Sequence, residues 1–463
     1  MFTFILAIVV VFGIILISKL RRRAISDRSC VYVVVLGDIG HSPRMCNHAI
    51  EFEKNQYSVH FIGYEESQPS LLIQENRNIH LANLKSFPSL QFAHFPPTVV
   101  YVLKIFWQFG TLGLKLCQLP KPDIICVQNP PSIPALITCF LVARLRGVRF
   151  YIDWHNYGYS MLALKHGMQH WIVQICQRYE FFMGRLADIN TCVSQAFSSN
   201  LKLHLIKSSV LYDRPTSQFH IPSTDEKHAI LMKMYQQYGF KQFEGRMNDC
   251  TRFTTSDKSF IKDRPAILVS STSWSPDENF QVLFDALKQY DTSDINNLPS
   301  IVCIITGKGP LKDEFVEKLQ QQSHRRVEYC FPWLDAADYP LLLGCADLGI
   351  SLHQSSSGFD LPMKIVDMLA VGVPVCSIHY DCINELVKRD QNGLIFRDSN
   401  DLCERIQDLL SGFPDNCSKL NSLKANVISG GKVSNWTKEW STVVKPLLSV
   451  TTSQQNENNL SSQ

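Results

Sequence analysis

Val31-Tyr-Val-Val-Val-Leu-Gly-Asp-Ile-Gly-His-Ser-Pro-Arg44 is the stretch on which the fold turns. Its first six residues are apolar and four of them are valine, the mark of a strand buried on both faces in a parallel sheet. The run then breaks into a turn holding two glycines, and Pro43 stands where a first helical turn tolerates proline. A helix continues through His48 to Lys54. Strand, glycine-bearing turn and helix form the opening βα unit of a Rossmann-like domain. The turn is not Gly-x-Gly-x-x-Gly, so an NAD enzyme has no fingerprint here.

Outward from this unit, apolar runs at 59–63, 123–127, 149–153 and 188–193 read as further strands with helices between them. That alternation predicts a doubly wound parallel sheet. A second α/β series starts at 266–274 and continues with strands at 301–306, 327–331, 348–352, 374–378 and 392–396. At 463 residues, two or three domains are expected. The reading is a transmembrane segment with basic flank over 1–23, a first Rossmann-like domain over 27–213 and a polar interdomain connection over 214–264. A second Rossmann-like domain follows over 265–432, then a C-terminal helix over 433–450 packing toward the first domain, and a disordered tail over 451–463.

Residues 2–18 are almost wholly apolar and are followed by Lys19, Arg21, Arg22 and Arg23. About 17 residues with snorkelling flanks just reach across a ~30 Å hydrocarbon layer. A cleaved signal peptide would carry its charges before the apolar core, so a retained signal anchor is expected, with the rest of the chain cytosolic. Two further greasy stretches, 95–116 and 161–185, either cover the sheet or lie on the membrane surface. The net charge of +3 gives no reason to expect nucleic acid. Fifteen cysteines without a Cys-x-x-Cys pair fit reduced thiols better than disulfides or zinc.

In the second half, His353-Gln-Ser-Ser-Ser-Gly-Phe-Asp-Leu-Pro-Met-Lys-Ile-Val-Asp367 is a polar loop feeding a helix N-terminus, a ready site for an anion. Lys364 supplies a cation for phosphate. Asp367, three residues on and on the same face, offers an acceptor for a ribose or sugar hydroxyl. A surface loop before a half-buried helix is the plainer reading of the same residues.

Two Rossmann-like halves with such a loop in the second resemble the GT-B glycosyltransferases, in which the two domains face each other across a cleft. The closer resemblance, over nearly the whole chain, is to the chitobiosyldiphosphodolichol β-mannosyltransferases. It is carried by 37–45, 152–160, Ser270-Ser-Thr-Ser-Trp274, Thr306-Gly-Lys-Gly-Pro-Leu311, Pro332-Trp-Leu334 and 355–368. The resemblance implies transfer of mannose from GDP-mannose to dolichol-diphosphate-linked chitobiose on the cytosolic face of the endoplasmic reticulum membrane. The β-1,4 bond made from an α-linked donor requires inversion. It also implies Lys308, Gly309 and Lys364 on the departing diphosphate, with Ser271 and Thr272 beside it or merely capping the turn, and Asp367 on the ribose. Trp333 flanks the base or packs.

Retaining relatives carry Glu-x7-Glu across this loop. Here the earlier position is Phe359 and Asp360 comes one residue late, which favours inversion. No tightly bound cofactor is expected. No Asp-x-Asp occurs, and a loosely required Mg²⁺ stays open.

On the acceptor side the candidates are Asp38, His41, Asp153, His155 and Glu180. Asp38 is favoured as base or acceptor positioner and His155 on the sugar hydroxyls, with Gly40, His41 and Arg44 binding acceptor and Arg44 on its diphosphate. Other early-pathway mannosyltransferases are candidate partners. The alternatives are another cytosolic-face GT-B transferase (α-mannosyl or N-acetylglucosaminyl) and a non-catalytic membrane-anchored homologue.

Overall fold

Two all-parallel sheets account for the strands of the computed structural model. The structure describes residues 28–449 apart from 89–91, 93–94, 217, 276–277, 296, 321–323 and 431–434. The anchor expected over 1–23 and the tail expected over 451–463 lie outside the described residues. The chain divides into two units, residues 1–212 with 439–463, and residues 213–438.

In unit 1 the strands are β1 (Cys30–Asp38), β2 (Ser58–Tyr64), β3 (Ile79–Asn83), β4 (Ile124–Asn129), β5 (Arg149–Trp154), β6 (Ile189–Cys192) and β7 (Ser209–Val210). Their spatial order is β3-β2-β1-β4-β5-β6-β7. The valine-rich run fills the central β1, buried throughout, because a strand with neighbours on both sides and helices on both faces meets no water. The helices are α1 (Pro43–Lys54), α2 (Leu71–Gln74), α3 (Pro97–Gln118), α4 (Ala135–Arg146), α5 (Gly158–His166), α6 (Trp171–Leu186) and α7 (Gln195–Leu203). Strand order reverses between β1 and β4, so Asp38 and Asn129 end the two strands that flank the switch point, where open parallel sheets bind ligands.

The stretch 161–185 is two helices rather than one. Gly167, at φ +80°, ends α5, and the His170 side chain caps α6 by accepting from the Ile172 N–H at 3.3 Å. From Glu439 onward the chain belongs to unit 1: in α15 (Trp436–Ser449), Trp440 is buried, stands edge-on to Phe52, and donates its indole N–H to His48 Nδ1 at 3.1 Å.

Unit 2 has β8 (Ala266–Ser271), β9 (Ile301–Thr306), β10 (Val327–Cys330), β11 (Leu348–Ser351), β12 (Val375–Ile378) and β13 (Gly393–Phe396) in the order β10-β9-β8-β11-β12-β13. The reversal falls between β8 and β11, which aims Ser271 and the 353–362 loop at a second switch point. Its helices are α8 (Thr224–Gln236), α9 (Phe280–Asp291), α10 (Lys312–Gln320), α11 (Asp338–Leu343), α12 (Met363–Ala370), α13 (Ser399–Leu410) and α14 (Ser418–Gly430).

The polar segment 214–264 packs within this unit. A Ser223/Glu226 capping box starts α8, and Lys233 Nζ and Tyr238 OH each lie 2.6 Å from the buried Asp338 carboxylate. Arg264 forms a bidentate pair with buried Asp347, to which Lys424 adds a third contact at 2.7 Å.

Candidate active site

The turn after β1 is held by its own aspartate. Asp38 Oδ1 accepts from the backbone N–H groups of Gly40 (3.3 Å), Glu66 (3.2 Å) and Ser67 (3.1 Å), and Oδ2 accepts from the Ser67 hydroxyl. A Cβ on Gly40 would fall 2.4 Å from Ser67 Oγ, so only glycine lets the two loops close. Burial alone would raise the Asp38 pKa, but the hydrogen bonds led by Ser67 outweigh it and hold the carboxyl below the usual range. A carboxylate stabilised in this way is a weak proton acceptor. It is well suited to orienting a neighbour, and His41 Nδ1 lies 2.7 Å from Oδ2. The His41 side chain is 79% exposed, with no partner for Nε2 among the described residues.

Arg44 is not placed to meet an acceptor diphosphate. It is 3% exposed, its Nε and Nη2 meet the two oxygens of Asp153 at 2.8 and 2.9 Å, and its Nη1 donates to the Leu211 carbonyl at 2.9 Å. The sequence placed this arginine on the acceptor diphosphate, whereas its position at the start of α1 commits it to Asp153 and the Leu211 carbonyl. Asp153 is fully buried and also meets Thr191 Oγ1 (2.5 Å), His155 Nε2 (2.8 Å) and His48 Nε2 (3.2 Å). Burial opposes ionisation there, yet Arg44 and the two histidines together hold the carboxyl well below the usual carboxylate range.

His48 accepts from Trp440 on Nδ1, so its proton is on Nε2 facing Asp153. Burial lowers its pKa despite that carboxylate. His155, half-buried just beyond β5, turns its second ring nitrogen away from Asp153. Glu180 is an internal cap rather than a site group: it accepts from Asn129, Ser132 and the N–H groups of Gly158 and Tyr159 at the start of α5.

In unit 2, β8 delivers Ser271 and Thr272, and β9 leads into Gly307-Lys308-Gly309. A Cβ on Gly309 would lie 1.7 Å from the Ser273 carbonyl oxygen, so the two loops touch backbone to backbone. Lys308 Nζ stands 4.2 Å over the ring of Trp333, which is itself exposed. Lys364, on the first turn of α12, reaches Glu278 Oε1. The other oxygen of this buried glutamate accepts from the Thr272 hydroxyl and the Ser273 N–H. The Thr272 hydroxyl is spent on Glu278, and the Ser271 hydroxyl accepts from Tyr339 at 2.9 Å.

Within the loop before α12, Asp360 meets His353 at 2.9 Å and the Ser355 hydroxyl, which fixes its course up to Pro362. Asp367 has no hydrogen-bond partner among the described residues. Burial and, next, the Asp213 carboxylate raise its pKa to about 7. An unsatisfied carboxyl beside Tyr339 is suited to hydroxyl donors such as a ribose diol.

The structure thus brings Lys308, Gly309, Lys364 and Asp367 to the β8/β11 end of unit 2, and Asp38, Gly40 and His41 to the β1 end of unit 1. Sequence reasoning passed over Glu278, which orders the lysine; the only signal was a carboxylate just after the Ser-rich 270–275 loop. Among the described residues no cluster of three or more His, Cys, Asp or Glu side chains is arranged for a metal.

A family model described as glycosyl transferases group 1 matches residues 264–412. Human chitobiosyldiphosphodolichol β-mannosyltransferase is 40% identical over 442 residues, covering 93% of this chain and 94% of its own. The Arabidopsis thaliana UDP-glycosyltransferase TURAN is 39% identical over 461 residues, covering 92% of this chain and 98% of its own. The crystal structure of Anabaena Alr3699/HepE in complex with UDP and glucose superposes with a TM-score of 0.62 at 16% identity, over 91% of this chain and 100% of that one. The fold is GT-B, and with relatives of that name also in mouse and Candida albicans, the chain belongs to the chitobiosyldiphosphodolichol β-mannosyltransferase family of glycosyltransferases.

Proposed function

We propose that this chain transfers mannose from GDP-mannose to chitobiosyldiphosphodolichol, forming a β-1,4 bond with inversion. The observation that carries the reading is 40% identity to the human β-mannosyltransferase along 93% of the chain. Inversion by in-line displacement needs a base for the acceptor hydroxyl and cations for the leaving diphosphate. His41 is the proposed base, taking the proton on Nε2 while Asp38 holds Nδ1–H and stabilises the imidazolium. Gly40 sets the turn that presents it, and His155 meets sugar hydroxyls. Lys308, Lys364 and the N–H of Gly309 would neutralise the diphosphate, with Asp367 on the ribose and Ser271 and Thr272 supporting the loop. Phe359 in place of a glutamate removes the carboxylate that a retaining enzyme carries at that position.

The proposed setting is the endoplasmic reticulum membrane, single-pass, with both units cytosolic and other early-pathway mannosyltransferases as neighbours. No tightly bound cofactor is proposed; a loosely held Mg²⁺ would show as loss of turnover in EDTA. The test is transfer from radiolabelled GDP-mannose to synthetic dolichol-diphosphate chitobiose by the detergent-solubilised full chain, giving a product that β-mannosidase cleaves. His41→Ala should lower kcat by roughly 10²–10⁴ with GDP affinity kept. The name of the Arabidopsis relative favours a second reading, a UDP-sugar donor. Transfer supported by UDP-sugars and not by GDP-mannose would replace the first reading with the second.

A further inference from the structure

We propose that Trp333 is a positioning residue for the donor diphosphate: its ring holds the Lys308 ammonium in place without neutralising it. The proposal rests on the reading of Lys308 as a diphosphate contact, and it gives the tryptophan a task other than stacking on the base or packing. Two lysines reach the β8/β11 end of unit 2, and the structure holds them differently. Lys364 is paired with the Glu278 carboxylate, so an anion must compete for its charge. Lys308 Nζ has neither a hydrogen bond nor an ion pair among the described residues, and what lies against it is the Trp333 ring, 4.2 Å from Nζ to the ring centre. A carboxylate fixes an ammonium by cancelling its charge. An indole face attracts the cation through its quadrupole, leaves the charge uncompensated, and keeps the N–H donors turned from the ring available to phosphate oxygens.

Both ends of the contact stand on fixed backbone. Lys308 lies between Gly307, at φ +131°, and Gly309; a Cβ on either would overlap the carbonyl of Thr272 or Ser273, so the main chain of the lysine is pressed onto the loop after β8. Trp333 follows buried Pro332 and half-buried Phe331. The Phe331 ring is 5.9 Å from that of buried Trp274, and its carbonyl accepts from Lys312 Nζ at 3.0 Å. The anchoring stops there, because Trp333 itself is 55% exposed. A tryptophan that served packing would lie inside, as Trp274 does. Trp333 is instead presented at the surface by a pinned loop, and the group it meets is Lys308.

The consequence is preorganisation. A lysine side chain on an open loop loses much rotamer freedom when an anion arrives. One already laid on an aromatic face has lost part of it beforehand, so more of the contact energy appears as affinity.

The experiment titrates the detergent-solubilised full chain with GDP and, in competition with it, with inorganic pyrophosphate, by isothermal calorimetry. Trp333→Leu should weaken both ligands alike, by roughly 2- to 5-fold, the worth of one exposed cation–π contact. Trp333→Phe, which keeps a ring, should retain most of the affinity, and it carries the test should leucine disturb the loop. In a Lys308→Met background Trp333→Leu should change nothing further, since the ring acts through the ammonium. Weakened GDP with unchanged pyrophosphate would overturn the proposal and put the ring against the base. So would an effect of the same size in the Lys308→Met background, or no effect on either ligand. Unchanged affinity in Lys308→Met alone would instead remove the diphosphate role of that lysine, on which the proposal rests. Pyrophosphate carries no base, so the same comparison holds with UDP as the competing nucleotide if UDP replaces GDP.

Discussion

Replacing Lys364 by methionine separates two roles that the structure gives to one ammonium group. Lys364 is 27% exposed and paired with Glu278, whose side chain is 2% exposed and otherwise satisfied by the Thr272 hydroxyl and the Ser273 N–H. Removing the cation from a fully buried pair costs about 3–5 kcal/mol; two surviving donors and a cation partly open to water reduce this to about 2–3 kcal/mol. Lys364→Met/Glu278→Gln removes the charge as well as its partner and should regain at least about 1 kcal/mol, a coupling measurable by equilibrium denaturation. If Lys364 also meets the donor diphosphate, Lys364→Met forfeits a charge-assisted contact of about 1.5–3 kcal/mol, a loss of roughly 10- to 150-fold in GDP affinity. The double variant should not restore that affinity, whereas Glu278→Gln alone frees the ammonium and should leave GDP binding intact or stronger. Denaturation and GDP titration on the same four proteins read both effects. A stability loss in Lys364→Met with GDP affinity unchanged would refute the phosphate role and leave the lysine as a strut.

Asp367 gives a pH signature. Its folded pKa of about 7 exceeds the unfolded value, so its contribution to stability is fully present at acid pH and is lost as pH rises through about 7. Asp367→Asn should flatten that decline and gain about 1–2 kcal/mol at alkaline pH, discounted because the side chain is partly open to solvent; an unchanged pH profile by thermal melting would contradict the assignment. Gly309→Ala forces a Cβ against the Ser273 carbonyl and should cost about 2 kcal/mol or more in denaturant while sharply weakening GDP binding. Arg44→Met takes the arginine from buried Asp153, leaving it Thr191 and the two histidines, and should destabilise the fold by about 3 kcal/mol. In whatever fraction stays folded, the KM for the lipid acceptor should be unchanged; a selective rise in that KM without loss of stability would return Arg44 to the acceptor site.

The central strands and their switch-point loops were legible because their signals are local. Six apolar residues in a row at β1 admit few other readings, and Gly307-Lys308-Gly309 announces a tight approach by composition alone. The edge strand β3 was passed over: Ile79-His-Leu-Ala-Asn83 mixes polar residues into a short run, as an edge position with one neighbour allows. Splitting 161–185 required weighing Gly167 as a stop, and the greasy residues on both sides masked it.

What sequence could not supply was partnership across distance. Arg44 and Asp153 are 109 residues apart, and Lys364 and Glu278 are 86 apart. In each case a charged residue looked free in sequence and is matched in space, with opposite consequences. Asp153 takes Arg44 together with His48 and His155 in a closed interior, so that arginine is committed to the fold and the site gains only the orientation of His155. Glu278 holds Lys364 at a loop end that is still open to water, where an incoming anion can compete for the ammonium. Burial of the cation, 3% exposed in one pair and 27% in the other, therefore separates a closed arginine from a lysine that keeps one side open to water, although both stand in the first turn of a helix.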